Sequence, residues 1–390
     1  MGLPSMAAAP PGAREAPGPG RAQIASRGRA RARPREAICA RPGPGASRAP
    51  GGAAAMEGSP IVAGYVYHTP WPAYAIAWAN RVEPRMRLAV GSFWESENAI
   101  HVVELNEETG RLEKVAGVAQ AFPPTKLLWK PSDGALGETS KDGNLLAACS
   151  TAVELFQISD GQLKSTAKLP APKLSPPVTS MDWSSIKEHK LAISSVDTTI
   201  CIYDLNKMKI ETQLIAHDKA VFDIALGQRE SIASLFCSCG LDGSIRLFDE
   251  RNLEHSTIIF DNENSTPLLR LSWNKSDKNY VAAFGSDSKS VIVVDLRKPS
   301  VSLKELPTHG AFVNAISWAP HSRSHLLAGT EDGGTLIWKV NELTGATDPS
   351  SGLQALQYDA QYEVQSVQWP ESMPNHIALG TTRKVEVLQI

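Results

Sequence analysis

The sequence predicts an all-β fold, a seven-bladed β-propeller over residues 59–390, preceded by a disordered tail over residues 1–58. Two observations predict the propeller. Short strand-like runs follow one another along the chain, and their pattern recurs about every 45 residues, which is the length of a four-stranded blade. A third observation, the composition of the first residues, predicts the tail.

Each repeat begins with a short apolar run that ends in tryptophan. These positions are Trp78, Trp129, Trp183, Trp273, Trp318 and Trp369, and Leu226 stands where the period requires one more. A second run with small residues follows, as in 326–330, and an acidic turn then leads to a third run, as in 336–339. The acidic turn residues are Asp197, Asp242, Asp287 and Asp332. Val, Ile, Phe and Thr within such runs, bounded by Gly, Asp, Asn and Ser, are typical of strands and hairpins.

The last repeat is one strand short. Between Val364 and Ile390 the pattern predicts strands around 366–369, 377–380 and 385–388, and then the chain stops. We expect residues 61–67 to supply the missing strand, because pairing with the last blade would close the ring and cover open strand edges. Closure of this kind makes the stability of the whole domain depend on its N-terminal strand.

The first 55 residues carry nine Arg and two Glu and are rich in Ala, Gly and Pro. Almost nothing in them is suited to a core, so we expect disorder. A flexible tail, a transit peptide and an extension upstream of a later start at Met56 are the alternatives. The Arg excess suits a transit peptide, whereas the many Pro and Gly would break the helix that it needs. The basic run 27–35 suits RNA contact or a nuclear address, but a solvated charge run is the favoured interpretation.

Charge and motifs exclude several function classes. Removing the nine Arg and two Glu from 39 basic and 41 acidic residues leaves 30 basic and 39 acidic residues after the tail, which argues against nucleic-acid binding by the propeller. Neither an apolar run long enough to span a membrane nor a phosphate loop, nucleophile elbow or zinc-protease motif is found. The five cysteines have no metal-site spacing, and buried reduced thiols are favoured for Cys237 and Cys239. We therefore expect a protein with no enzymatic activity, cofactor or metal.

The third-run ends and acidic turns resemble WD40 repeats. In that family a His, a strand Ser or Thr, the turn Asp and a Trp form a buried hydrogen-bonded set. One complete set is similar to the family pattern and consists of His309, Thr330, Asp332 and Trp338. A second consists of His217, Ser238 and Asp242, with Phe248 in the Trp place, and is incomplete because Phe has no N–H donor. The resemblance implies a structural role for these residues.

Longer segments resemble one subfamily, the plant Transparent Testa Glabra regulator and its animal and fungal relatives. The resemblance covers about residues 65–390 and is carried by segments such as 211–219, 252–259, 267–275 and 316–322. It implies a monomeric scaffold in the nucleus and cytoplasm. Its implied partners are MYB and basic helix-loop-helix transcription factors in plants and protein kinases in animals.

Some relatives of that subfamily resemble substrate receptors of cullin-4 RING ubiquitin ligases, which dock the ligase adaptor through a Trp-Asp-x-Arg box. Two Asp-x-Arg boxes are similar to part of this motif, Asp249 with Arg251 and Asp295 with Arg297. Both lack the Trp. A rim arginine tied to its neighbouring aspartate is an equally good interpretation of each.

Partner binding is predicted at the position four residues before each repeat Trp, near the start of the innermost strand and beside the channel mouth. These residues are Tyr74, Thr125, Thr179, Phe222, Leu269, Asn314 and Gln365. Tyr74, Phe222 and Leu269 are expected to form an apolar patch with polar neighbours that suits a peptide. Packing against adjacent blades is the alternative for several of the seven.

Overall fold

Seven four-stranded antiparallel sheets follow one another along the chain in a computed structural model. The structure describes residues 61–79, 86–93, 97–131, 145–171, 177–262, 266–308, 310–340 and 353–390. All of these belong to one unit, Glu57–Ile390. The predicted tail, residues 1–58, lies outside the described residues.

The strands of the first four blades are as follows. Blade 1 contains β2 (Ala73–Trp78), β3 (Arg87–Ser92), β4 (Asn98–Asn106) and β5 (Arg111–Gln120). Blade 2 contains β6 (Lys126–Trp129), β7 (Leu145–Cys149), β8 (Val153–Ser159) and β9 (Gln162–Lys168). Blade 3 contains β10 (Val178–Trp183), β11 (Lys190–Ser195), β12 (Thr199–Asp204) and β13 (Lys209–Ile215). Blade 4 contains β14 (Val221–Leu226), a 3-10 turn (Glu230–Ile232), β15 (Leu235–Gly240), β16 (Ser244–Asp249) and β17 (Asn252–Asp261).

The remaining blades complete the ring. Blade 5 contains β18 (Leu268–Trp273), β19 (Tyr280–Gly285), β20 (Ser290–Asp295) and β21 (Ser302–Pro307). Blade 6 contains β22 (Val313–Trp318), β23 (His325–Thr330), β24 (Gly334–Val340) and β25 (Leu353–Asp359). Blade 7 contains β26 (Val364–Gln368), β27 (His376–Thr381), β28 (Lys384–Gln389) and, as its outer strand, β1 (Val62–His68). The first strand of each blade contacts the first strands of both neighbouring blades, so the predicted seven-bladed propeller is confirmed.

Strand β1 closes the ring as the sequence predicts. It pairs antiparallel with β28, from Val62 opposite Gln389 to His68 opposite Lys384. Tyr65 and Tyr67 of β1 pack against the cluster of apolar side chains between blades 7 and 1. The blade is therefore built from both ends of the propeller sequence.

The hydrophobic core is divided among the seven interfaces between neighbouring blades, and each interface has its own cluster of buried side chains. Both faces of each sheet are therefore covered, and inner strands such as β19 and β23 are buried at nearly every position. This explains the continuous apolar runs in the sequence, since strands covered on both faces lose the alternation of apolar and polar residues.

The small residues in the second runs allow neighbouring blades to approach closely. A Cβ atom on Gly329 of β23 would lie 2.3 Å from Cγ1 of Val364 in blade 7. A Cβ atom on Gly91 of β3 would likewise lie 2.3 Å from Cγ of Pro124, beside blade 2. Any side chain at these positions would push the adjacent blade away.

Blade 4, which has Leu226 in the Trp place, is joined to blade 3 by polar contacts. The backbone N–H of Leu226 donates to the Asp182 carboxylate at 2.7 Å, and the Gln228 amide donates to the same carboxylate at 3.2 Å. The Gln228 carbonyl oxygen accepts from the backbone N–H and the hydroxyl of Ser185. These hydrogen bonds join blade 4 to blade 3 beside Leu226, the position at which the other blades have a tryptophan.

The four cysteines in the described part of the chain, Cys149, Cys201, Cys237 and Cys239, are buried and free. Burial raises the pKa of each thiol. Among the described residues, no helix is long and apolar enough to cross a membrane.

Candidate functional site

The propeller has two faces that are distinguished by strand direction. Adjacent strands of a blade are antiparallel, so its first and third strands run the same way. The mouth face is the one on which the first strands begin, as at Tyr74 and Phe222. The far face is the one on which the first and third strands end, as at Trp78 and Asp249. Residues at the two ends of these strands therefore lie on opposite faces.

The predicted partner-binding residues surround the mouth of the channel. All seven line one central cavity of about 700 Å³. Except for Thr125, which directly precedes its strand, they are the second residues of their strands, and the strand register shifts at that residue. At a β-bulge, a side chain points in a different direction from that of a regularly paired residue. This explains why the equivalent side chain of each blade lies along the channel. The pattern of apolar residues in the sequence does not reveal these bulges.

Three of the seven are engaged within the ring. The hydroxyls of Thr125 and Thr179 donate to the carbonyl oxygens of Val178 and Val221 in the next blade, at 2.9 and 2.6 Å. The Asn314 amide similarly donates to a carbonyl oxygen of blade 7, at 3.1 Å. These side chains join neighbouring blades, as the packing alternative expects.

The three residues of the predicted apolar patch, Tyr74, Phe222 and Leu269, have a charged neighbour in Arg270. The guanidinium of Arg270 donates to the carbonyl oxygens of Phe222 and Leu269, at 3.5 and 3.1 Å, and to the hydroxyl of Tyr74 at 2.9 Å. A charged group thus connects the three residues of the predicted patch. Tyr74 also lies against Phe93, with ring centroids 5.1 Å apart.

A second charged group crosses the channel below the mouth. Nζ of Lys126 lies 3.3 Å from Oδ1 of Asp223 and 3.0 Å from the hydroxyl of Ser180, so blades 2, 3 and 4 meet there. Burial alone would raise the pKa of Asp223, but the charges of Lys126 and Arg270 hold it below its usual value. Asp223 is therefore an anion between two cations.

Sequence reasoning missed these charged residues, although a signal was present. Lys126, Asp223 and Arg270 each follow a mouth residue by one position, inside runs that are otherwise apolar. Charged side chains are rarely buried unless they are paired. A charged residue at the same position in three blades therefore predicts a polar channel.

The first Asp-x-Arg box lies on the far face of blade 4. Arg251 donates from Nε and Nη2 to the Asp249 carboxylate, at 2.9 and 2.6 Å. The arginine side chain is 75% exposed. The aspartate is the last residue of β16, and its pairing with Arg251 lowers the pKa of its carboxyl to about 2.

The second box lies at the same turn of blade 5. Arg297 donates to both carboxylate oxygens of Asp295, at 2.9 and 2.8 Å, and to the hydroxyl of Tyr280 at 2.9 Å. Asp295 is buried, whereas the Arg297 side chain is 55% exposed. The two boxes therefore present oriented guanidinium groups from neighbouring blades on one face.

The set around His217 is hydrogen-bonded in the way the WD40 resemblance implies. Nε2 of His217 lies 2.8 Å from the hydroxyl of Ser238, and its Nδ1 lies 3.0 Å from the Asp242 carboxylate. In place of the indole, the ring of Phe248 stacks on Phe236 at 4.9 Å. His217 and Ser238 are buried, so this Ser-His-Asp arrangement has no surface for a substrate and serves the blade.

The other predicted set is described in part. The Thr330 hydroxyl donates to Asp332 at 2.6 Å, and Trp338 is buried between blades 5 and 6. His309 lies outside the described residues. Within the described ranges, no three His, Cys, Asp or Glu residues are arranged to hold a metal ion.

Known proteins are similar to this chain over most of its length. The WD domain, G-beta repeat family matches residues 208–249 and 300–339. The DDB1- and CUL4-associated factor 7 homolog of Dictyostelium discoideum is 40% identical over 84% of this chain and 98% of its own length. An uncharacterized WD repeat-containing protein of Schizosaccharomyces pombe is 34% identical over 71% of this chain and 69% of its own length. The chain therefore belongs to the WD40-repeat family, as a propeller scaffold for protein interactions that is similar over nearly its full propeller to the Dictyostelium factor 7 homolog.

Proposed function

We propose that this chain is a non-enzymatic scaffold that acts as a substrate receptor of a cullin-4 RING ubiquitin ligase. The ligase adaptor would bind the far face and the substrate the mouth face. The proposal is carried by the two Asp-x-Arg boxes on adjacent blades, in a chain that is 40% identical to a protein named as a DDB1- and CUL4-associated factor.

The geometry of the boxes supports docking. Each guanidinium is already held by its aspartate, so binding costs little side-chain entropy. Exposed N–H groups remain on Arg251 and Arg297 for carboxylates or carbonyl oxygens of an adaptor. Phe248 and Val294 stand in the place of the missing Trp and are buried. The docking surface would therefore consist of the charged part of the box.

Co-purification of the full chain with the cullin-4 adaptor tests this proposal. We expect Arg251→Ala with Arg297→Ala to lose the adaptor, because both exposed guanidinium groups are removed. Because Arg297 pairs with the buried Asp295, the thermal melt of the variant is measured beside its binding. Arg111→Ala is the matched control, since Arg111 is an exposed arginine at the start of the outer strand of blade 1. A double variant that melts normally and still retrieves the adaptor as the unsubstituted chain does would refute the assignment.

A second candidate is the assembly of transcription regulators or kinases on the mouth face, in the nucleus and cytoplasm. The half-buried apolar side chains of Phe222 and Leu269 at the channel mouth favour it, together with the resemblance to the Transparent Testa Glabra subfamily. Phe222→Ala with Leu269→Ala should release MYB-type or basic helix-loop-helix factors, or kinases, and keep the ligase adaptor. Arg251→Ala with Arg297→Ala should lose the ligase adaptor and keep the transcription factors or kinases. Retention of all these partners by the mouth variant would exclude the mouth as their binding site.

A further inference from the structure

The far face has a strongly uneven charge. Its turns between third and fourth strands change sign around the ring, from acidic in the first two blades to basic in blades 3 and 5. The acidic turns carry Glu107 and Glu108 in blade 1 and Asp160 in blade 2, and the basic turns carry Lys207 in blade 3 and Arg297 and Lys298 in blade 5. In the blade 4 turn, Glu250 is ion-paired with Lys187 and Lys190 of blade 3, and its neighbour Arg251 is exposed. The propeller is acidic in total, so this basic sector is a local feature of one face.

The basic sector extends onto the neighbouring loops of blades 4, 5 and 6. We name five exposed cations there the basic belt: Arg229, Lys275, Lys278, Lys298 and Arg323. Acidic residues on the same loops are few. The loops at 227–234, 274–279 and 319–324 carry two acids, Glu230 beside Arg229, and Asp277, which accepts two hydrogen bonds from Asn279. The belt therefore keeps an excess of positive charge at its surface.

Contacts between loops hold the belt in place. Nη1 of Arg229 donates to the carbonyl oxygen of Ser276 at 3.0 Å, which joins blade 4 to blade 5. The Ser276 hydroxyl in turn donates to the carbonyl oxygen of Pro320 at 2.7 Å, which joins blade 5 to blade 6. Because the loops are bound to one another, the cations form a continuous surface and are already positioned for a ligand.

The belt also adjoins the far end of the central cavity. Lys275 and Glu371 both line that cavity, and they form an ion pair with 2.6 Å between Nζ and Oε1. A carboxylate from another molecule could bind Lys275 in competition with Glu371. The basic belt and the cavity end thus offer one surface to an anionic chain.

We propose that the basic belt binds an acidic segment of a partner protein. A short acidic segment contacts only blades 4, 5 and 6 and experiences only nearby charges, because screening limits charge interactions to about 8 Å at physiological salt. A nucleic-acid duplex or an anionic membrane lying across the face would also meet Glu107, Glu108 and Asp160, at a cost in repulsion. The charge pattern therefore selects a protein segment over these larger polyanions. This inference goes beyond the ligase proposal, since it depends on the cations beside the boxes.

The test uses the full chain and two probes, a fluorescently labelled oligoglutamate peptide and a short DNA duplex of equal charge. The variant is Lys278→Glu with Lys298→Glu and Arg323→Glu. It leaves Arg229 in place, so the loop contacts persist. The control is Lys168→Glu with Lys219→Glu and Lys289→Glu, which reverses three exposed lysines on the mouth face and changes the net charge equally. Both variants keep the Arg-rich N-terminal residues.

We expect the belt variant to bind oligoglutamate about tenfold more weakly at low salt, and the control to change its affinity by less than about twofold. A photo-crosslinking form of the peptide should label the loops at 227–234, 274–279, 296–301 and 319–324. Equal weakening in both variants, or crosslinks elsewhere, would overturn the site. DNA binding as tight as peptide binding, and equally lost in the belt variant, would overturn the choice of an acidic protein segment. None of these readouts depends on the ligase adaptor.

Discussion

The guanidinium of Arg270 donates a hydrogen bond to the hydroxyl of Tyr74, with 2.9 Å between Nη2 and Oη. This bond joins blade 5 to blade 1 across the channel, between residues 196 positions apart. The same guanidinium helps to balance Asp223, which also contacts Lys126. Charged side chains at the mouth of the propeller therefore connect distant blades, and the contribution of these residues to stability can be measured.

We expect Arg270→Leu to lower the free energy of unfolding by about 3 kcal/mol, because the buried Asp223 loses one of its two cations. Tyr74→Phe removes a single hydrogen bond and should cost about 1 kcal/mol. Urea denaturation followed by tryptophan fluorescence measures both. Equal losses in the two variants would mean that the balance of Asp223 does not depend on Arg270.

The turn aspartate of blade 4 should matter far more than that of blade 5. Asp242 accepts hydrogen bonds from His217 and Ser244, and although burial opposes ionisation, these contacts hold the pKa of its carboxyl well below the usual range. We expect Asp242→Asn to cost about 2–3 kcal/mol, since the partners lose a charged acceptor. Asp287→Asn, at the same turn of blade 5, is exposed and should change the melting temperature little. Similar melting temperatures for the two variants would contradict a stabilising role for the His217 set.

Deletion of the closing strand should destabilise the entire propeller. Removing residues 1–58 leaves β1 intact, so we expect an unchanged melting temperature. Removing residues 1–68 exposes the edge of β28 and the cluster between blades 7 and 1, and we expect a single transition at a much lower temperature. Differential scanning calorimetry compares the two proteins. An unchanged transition after the longer deletion would show that the ring is stable without β1.

Acid should weaken the contact between β1 and blade 1. Burial, with the charge of Lys114, lowers the pKa of His101 to about 4, and His101 hydrogen-bonds the hydroxyl of Tyr67 on β1 at 3.0 Å. In the unfolded chain the pKa of a histidine is about 6.5, so the unfolded state binds more protons between these values. The stability that depends on a neutral His101 is therefore complete above pH 6.5 and is lost as the pH falls towards 4.

The measurement for His101 is the free energy of unfolding from pH 7 to pH 4 in the unsubstituted chain and in His101→Gln. Glutamine keeps a polar side chain and does not titrate. We expect a smaller loss of stability across this interval in the variant. Parallel profiles for the two proteins would show that His101 does not cause the acid sensitivity.

The repeat, the number of blades, the closing strand and the residues of the His217 set could all be predicted from the amino-acid sequence. These features follow from local chemistry, because apolar runs, turn residues and their period are properties of neighbouring positions. The sequence also placed Phe222 and its equivalents at the channel. It could not show that Arg270 reaches Tyr74, or that Lys126 meets Asp223.

The chemical character of the two faces depends on contacts between blades. Closure of the ring brings equivalent positions of distant blades around one axis, so charges that are separate in the sequence become neighbours in a buried channel. The bulges at the strand starts re-aim the mouth residues, and the loops of blades 4, 5 and 6 gather their cations into one belt. Such contacts depend on how the blades pack and have no counterpart in the local pattern of any single repeat.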